Sequence, residues 1–302
     1  MSAANPHALM RPQILIPFLI TALIWGSTWY VITGQISEVP PSWSIAYRFA
    51  LATPAMFLVA VLMKRSLAIG RAGHMLAIFI GLSQFCANFN FVYRAELHLT
   101  SGIVAVMFGM LMLPNALFGR WVLGQRITLG FVAGSAIAIA GIALLLVYEA
   151  RLSPLGGSVP LGILFAIGGI LAASIANVVQ ANDVGRALAM PSLLAWSMLY
   201  GTGFDIALAW VTAGPPVFPS DPMFWAGAAW LGIAGSVVTF PLYYTIVRKI
   251  GPGRAAYNAI LVIVVAMLIS TLVEGYQWSP LSIGGAALAS LGMILALRAR
   301  EA

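Results

Sequence analysis

The chain has 302 residues, 61% of them hydrophobic and only 8% charged, with a net charge of +7 and a single cysteine, Cys86. Soluble domains carry about 25% charged residues, so this much apolar surface requires lipid to cover it, which excludes a soluble fold. One cysteine excludes an internal disulfide framework, and with so few charges the positive balance points to loops facing an anionic leaflet rather than to nucleic acid.

Apolar runs are predicted at 14–34, 43–63, 74–94, 98–119, 127–147, 159–182, 190–212, 223–246, 253–273 and 281–298. Each is near the about 20 residues a helix needs to cross a bilayer core. None shows strict alternation and all exceed a barrel strand, so helices are expected throughout. The breaks "EVPPSW", "GRAG", "SPLGGSVP", "AGPPVFPSDP" and "KIGPG" carry turn chemistry and are too short for a further domain. The tail before the first run has no small-residue cleavage signal, so that run is expected to be retained.

Span one contains "WGSTW", residues 25 to 29. Gly26 permits close approach of a backbone or a ligand. Ser27 and Thr28 can bond back to helical carbonyls or forward to a solute. Trp25 and Trp29 lie four residues apart, on one face. The stretch serves either tight packing or a cavity wall. In span two, Arg48 is expected to snorkel or pair near the membrane surface.

Span three places Gly81, Gln84, Phe85, Asn88 and Val92 on one helical face. Cys86 is expected to be a packing residue. Pro114 in span four and Pro241 in span eight remove backbone hydrogen bonds and are hinge candidates, a static kink being the other reading. Gly130, Gly134, Ala138 and Gly141 in span five, with Gly285, Ala289 and Gly292 in span ten, form small-residue faces for close helix packing. Span six offers Ser174, Asn177 and Gln180; span eight Thr239 and Tyr243; span nine Tyr257 and Asn258. Amides in lipid serve either as helix–helix ties or as a polar cavity wall. Asp205 and Glu274 are expected to be solvated or interface-paired groups near the outer surface.

Twelve of the fifteen basic residues fall on the side of the termini: Arg11, Lys64, Arg65, Arg71, Arg120, Arg126, Arg186, Arg248, Lys249, Arg254, Arg298 and Arg300. The positive-inside rule makes both termini cytoplasmic. The chain also repeats at an offset of 151, which links Gly81 to Gly232, Tyr93 to Tyr244, Gly102 to Gly253, Gly124 to Gly275, Gly134 to Gly285 and Gly141 to Gly292. Halves of five spans, an odd number, enter the membrane in opposite senses. Residues 1–151 and 152–302 are thus expected to be two inverted five-helix repeats of an all-α integral membrane protein with ten transmembrane helices, the mark of alternating access.

"WGSTW", the repeat and the short Gly/Pro connections together resemble the drug/metabolite transporter superfamily, in its ten-helix EamA-type branch. Within that branch the chain most resembles the YddG-type exporters of aromatic amino acids. The resemblance implies a central cavity between the halves. The expected substrate-binding residues are Trp25, Trp29, Gln84, Phe85, Asn88, Asn177, Thr239, Tyr243, Tyr257 and Asn258.

Spans one, three, four, six, eight and nine carry no acid or base in their middle thirds. A buried carboxylate is the usual device for exchanging protons against cations, so neutral solutes and no obligatory proton are expected. No H-E-x-x-H or G-x-S-x-G occurs, and the three histidines are scattered. The expectation is a monomeric, cofactor-free and metal-free exporter of aromatic or bulky neutral amino acids in a bacterial inner membrane. A broad metabolite or multidrug exporter, a lipid-modifying membrane enzyme and a noncatalytic partner protein are the other readings.

Overall fold

The structure is a computed structural model and describes residues 12–123, 127–152, 157–250 and 257–301. Arg11, Arg126, Arg254, Gly124 and Gly253, invoked above, lie outside the described residues. The long helices are α1 Pro12–Ile36, α2 Pro41–Leu62, α3 Gly70–Ala95, α4 101–123, α5 Leu129–Leu152, α6 Val159–Val179, α7 Met190–Ala213, α8 222–250, α9 Tyr257–Val273 and α10 Pro280–Glu301. A short helical turn, Asp183–Ala187, links α6 to α7. No strand occurs among the described residues.

Eight helices, α1 to α6, α8 and α10, are long and apolar enough to cross a membrane. α9 is apolar but has 17 residues. α7 has 24 residues and buries Ser192, Ser197, Thr202 and Asp205, which lower its apolarity. Eight of the ten expected spans therefore carry the full membrane-crossing signature. Large apolar side chains such as Leu62, Met75, Leu129, Val211 and Leu272 are more than two-thirds exposed or nearly so, as lipid-facing residues should be.

Small residues set the closest helix contacts. A Cβ added at Gly134 would sit 2.3 Å from Ala296 N, at Gly141 2.2 Å from Ala289 N, and at Gly292 2.2 Å from Ala138 N. The backbones of α5 and α10 are therefore in direct contact over several turns, the packing that small-xxx-small faces allow. Gly81 of α3 lies against the backbone of α7, its added Cβ 2.7 Å from Ser197 O. Gly232 of α8 lies against the backbone of α2, 2.7 Å from Arg48 O. Each of these two glycines opens a π-helical stretch or lies within it, Gly81–Asn88 in α3 and Trp230–Val238 in α8. π-helical turns inside α-helices are rare and concentrate at functional sites.

Two buried apolar clusters result. One joins α4, α5, α6, α9 and α10; the other joins α2, α3, α7 and α8. Trp29 and Phe108 pack against both. At the bundle end remote from the termini, Trp43, Tyr47, Phe224 and Trp225 form a third, aromatic cluster, and Tyr47 Oη donates to Val217 O at 2.9 Å.

Beneath it, Arg48 is 3% exposed and does not snorkel. Its guanidinium lies 4.2 Å from the Phe89 ring centroid and donates to Ser236 Oγ at 3.2 Å and Tyr93 Oη at 3.4 Å. Asp205 is fully buried and accepts from Asn90 Nδ2 at 2.8 Å. Asn90 also accepts from Arg94 at 2.7 Å, and Cys86 lies beside it. Of the two expectations for Arg48, snorkelling gives way to pairing, because α8 leaves room at Gly232 and Gly235 for α2 to pack its arginine inward.

Three carboxylates converge on the start of α4. Thr100 N–H donates to Glu149 Oε1 at 2.9 Å, and Ser101 Oγ donates to Glu274 Oε2 at 2.7 Å. Glu96 is 2% exposed, and neither carboxylate oxygen has a partner among the described residues. Burial first, then the nearby Glu274 carboxylate, holds the Glu96 carboxyl well above the ordinary carboxylate range, against a smaller opposing pull from Arg48. An acid with a raised folded pKa keeps its proton while the unfolded chain loses it, so stability falls as pH rises from the ordinary value toward the folded one. Glu96→Gln removes that penalty. The variant is expected to gain thermal stability over the parent as pH rises above the ordinary glutamate value of about 4.3, measured in detergent; an advantage that does not grow with pH would refute it.

Candidate functional site

A cavity of about 1010 Å³ opens between the halves at the bundle end that holds the termini. Its deep wall is Phe108, Met112 and Asn115 of α4, Asn177 of α6, Pro241 and Tyr243 of α8, and Ile260 of α9. Its mouth is formed by Met63, Arg65 and the connection 185–191. The lining has two arginines, Arg65 and Arg186, and no Asp or Glu among the described residues. Nor does any group of acids, histidines and cysteines among them hold metal-binding geometry.

The helices explain these positions. Pro114 has no N–H to offer the carbonyl four residues back, and the turn before it tightens into a 3₁₀ stretch, Gly109–Leu111. That turn orients Phe108 and Met112 into the space. Pro241 lies three residues beyond the π-helical stretch of α8 and lines the cavity itself. Gly109 allows α9 and α10 to close in behind, its added Cβ 2.7 Å from both Ile263 Cδ1 and Met293 Sδ.

Of the residues expected from the sequence, Asn177 and Tyr243 line the cavity. Trp25 packs behind Tyr243 at 5.1 Å and donates from Nε1 to Gly235 O at 3.2 Å. Trp29 packs on Phe108 at 5.1 Å. Asn88 is 4% exposed, with Oδ1 unpartnered. Phe85 is fully buried between Phe49 and Phe240. The Thr239 hydroxyl returns to Gly235 O at 2.8 Å. Asn258 ties α9 to α1, donating to Phe18 O at 2.8 Å and Thr21 Oγ1 at 3.1 Å. Gln84 and Tyr257 are half-buried, and neither is among the lining.

"WGSTW" works chiefly as packing. Gly26 takes the Val265 side chain, with an added Cβ only 2.5 Å away. Ser27 and Thr28 bond back to Ile24 O and Trp25 O, each at 2.7 Å. Ser27 also accepts from Trp230 Nε1 at 3.0 Å. Asn115, Phe108 and Met112 were not foreseen. A polar Asn directly after Pro114 in an apolar run was the available signal.

The family model for the EamA-like transporter family matches residues 13–147 and 160–298. The chain belongs to the EamA-like transporter family. Among relatives of this EamA-like transporter, Protein PagO of Salmonella typhimurium is 25% identical over 89% of this chain and 86% of its own. An uncharacterized inner membrane transporter, YedA, of Escherichia coli K12 is 28% identical over 84% of this chain and 80% of its own. A solved crystal structure matches the fold with a TM-score of 0.69 and 19% identity, over 95% of this chain and 97% of that one. These relationships mark an integral membrane protein of a transporter family, which implies a small-molecule substrate. The names of these relatives state no substrate.

Proposed function

We propose that this EamA-like transporter exports small organic solutes, foremost aromatic or bulky neutral amino acids, by alternating access about the central cavity. The observation that carries the reading is the cavity itself: open at one end, sealed at the other by aromatic rings and buried polar contacts, and walled by Phe108, Tyr243 and neutral amides. Aromatic walls suit an aromatic body, and Asn115 and Asn177 suit its polar ends. No carboxylate lines the cavity among the described residues, so cations gain no fixed counter-charge there.

Ten membrane spans in two inverted halves, 1–151 and 152–302, are part of this proposal. Its support is the double match of the family model and the paired π-helical stretches, whose first glycines, Gly81 and Gly232, are 151 residues apart. Each half then lends a helix to the other: α3 packs on α7, and α8 on α2. With the basic residues on the side of the termini, that side is cytoplasmic and the cavity faces the cytoplasm. A reporter fused after residue 302 should read cytoplasmic; a periplasmic signal would overturn the ten-span arrangement. The proposed exporter sits in a bacterial inner membrane and works as a monomer without cofactor.

Liposomes loaded with unlabelled tryptophan or phenylalanine and given trace label outside should accumulate label transiently at equal pH. Counterflow requires a shared carrier site and no ion gradient. Uptake that depends on a proton gradient, or movement of cationic dyes alone, would favour a broad multidrug exporter instead.

A further inference from the structure

Among the buried polar atoms of the bundle, two near one another have no partner among the described residues. Trp29 Nε1, a donor, is buried without a partner, and so is Asn88 Oδ1, an acceptor. Buried polar groups in native proteins are nearly always paired, and an exception calls for an explanation. In a lipid-enclosed bundle no bulk water reaches them to compensate.

Both atoms lie around one side chain, Phe108. The Trp29 and Phe108 rings are 5.1 Å apart. On the other flank, the position a Cβ would take on Gly169 is 3.1 Å from Phe108 Cζ and 3.5 Å from Asn88 Oδ1. The absence of a side chain at Gly169 is thus what lets the phenyl tip reach toward the asparagine. Phe108 also lines the open cavity. The ring therefore lines the cavity and also neighbours both unpartnered groups. It is the last residue before the 3₁₀ turn Gly109–Leu111, and such mid-helix turns mark hinges.

We propose that Trp29 and Asn88 form the head-group subsite for a zwitterionic substrate, reached from the cavity when the Phe108 ring swings aside. The indole N–H donates to the substrate carboxylate, and Asn88 Oδ1 accepts from its ammonium group. One donor and one acceptor match a zwitterion; a simple cation would leave the indole N–H unpaired, and a simple anion the amide oxygen. The substrate's aromatic body then lies in the wider space by Phe108 and Tyr243. This assignment rests on the transport reading above and specifies its chemistry.

The test uses full-length protein in liposomes, with labelled tryptophan in counterflow and three competitors: tryptophan, tryptamine, which lacks the carboxylate, and indole-3-propionate, which lacks the ammonium. In the parent protein each truncated competitor should be weaker than tryptophan by about tenfold or more, the scale of one hydrogen bond to a charged group. Trp29→Phe keeps a ring but loses the donor. It should weaken tryptophan and indole-3-propionate by a similar factor and leave tryptamine unchanged. Asn88→Leu should do the reverse, weakening tryptophan and tryptamine alone. Thermal stabilisation of the purified variants by the same three compounds should give the same ranking, so a variant with poor flux still reports. If flux persists and both variants discriminate as the parent does, the buried pair holds only structural water and the subsite is wrong. If parent vesicles move no aromatic amino acid, the transport reading falls and takes the subsite with it.

Discussion

Gly141→Leu is expected to unfold the EamA-like transporter more readily than any exposed substitution. A Cβ at this position would lie 2.2 Å from Ala289 N and 2.6 Å from Gly285 O, so the obstacle is backbone rather than a movable side chain. Overpacking a core typically costs about 1–3 kcal/mol. Here α5 and α10 must separate along several turns, because a Cβ at Gly134 or Gly292 of the same seam would likewise lie within 2.3 Å of the facing backbone. A fall of about 6–12 °C in the unfolding midpoint in detergent follows from the top of that range. Gly203→Leu is the control, since nothing lies within 4 Å of its added Cβ. Equal midpoints for the two variants would sink the account of the α5–α10 seam.

Arg48→Ala is expected to loosen the sealed end of the bundle. The guanidinium stacks on Phe89, donates to Ser236 and Tyr93, and lies within electrostatic range of the buried Asp205 and Glu96. Removing one member of a buried charged network costs about 3–5 kcal/mol, because the remaining charges stay desolvated. Cys86 is a native reporter: it is the single cysteine, 5% exposed, and sits beside Asn90 in the same network. Its labelling by a thiol reagent should be slow in the parent. In Arg48→Ala it should speed up by about tenfold for each 1.4 kcal/mol of closure lost. Arg48→Lys keeps the charge but not the planar fork, and should fall between the two. Unchanged labelling in Arg48→Ala would mean that the arginine does not hold this end shut.

Much of the architecture is legible without coordinates. Apolar run lengths and turn residues mark the helices because lipid leaves the backbone no other way to satisfy itself. The α5 and α10 glycine stripes are legible as a packing face because only small residues permit such contact. The repeat offset aligns Gly81 with Gly232, and at both a Cβ would sit 2.7 Å from a carbonyl oxygen of the neighbouring helix. Helix count is less legible where polar groups intrude, as in α7, whose Asp205 is buried against Asn90 rather than facing lipid.

The site is legible only in part. Asn177 and Tyr243 line the cavity, whereas Asn258 spends its amide on Phe18 O and Thr21, and Thr239 its hydroxyl on its own helix. Sequence spacing shows that these groups share a helical face, but not which neighbour consumes each hydrogen bond. Arg48 shows the same gap: its position in the chain suggests a residue that snorkels or pairs near the surface, and its burial depends on the room left at Gly232 and Gly235 on a helix far away in sequence. The sequence by itself determined the membrane environment, the helical class and the small-residue seams, because these follow from local composition and period. Only the tertiary structure decided which polar atoms are satisfied, which carboxylates are buried and where Phe108 stands, because those depend on how helices separated by tens to hundreds of residues meet.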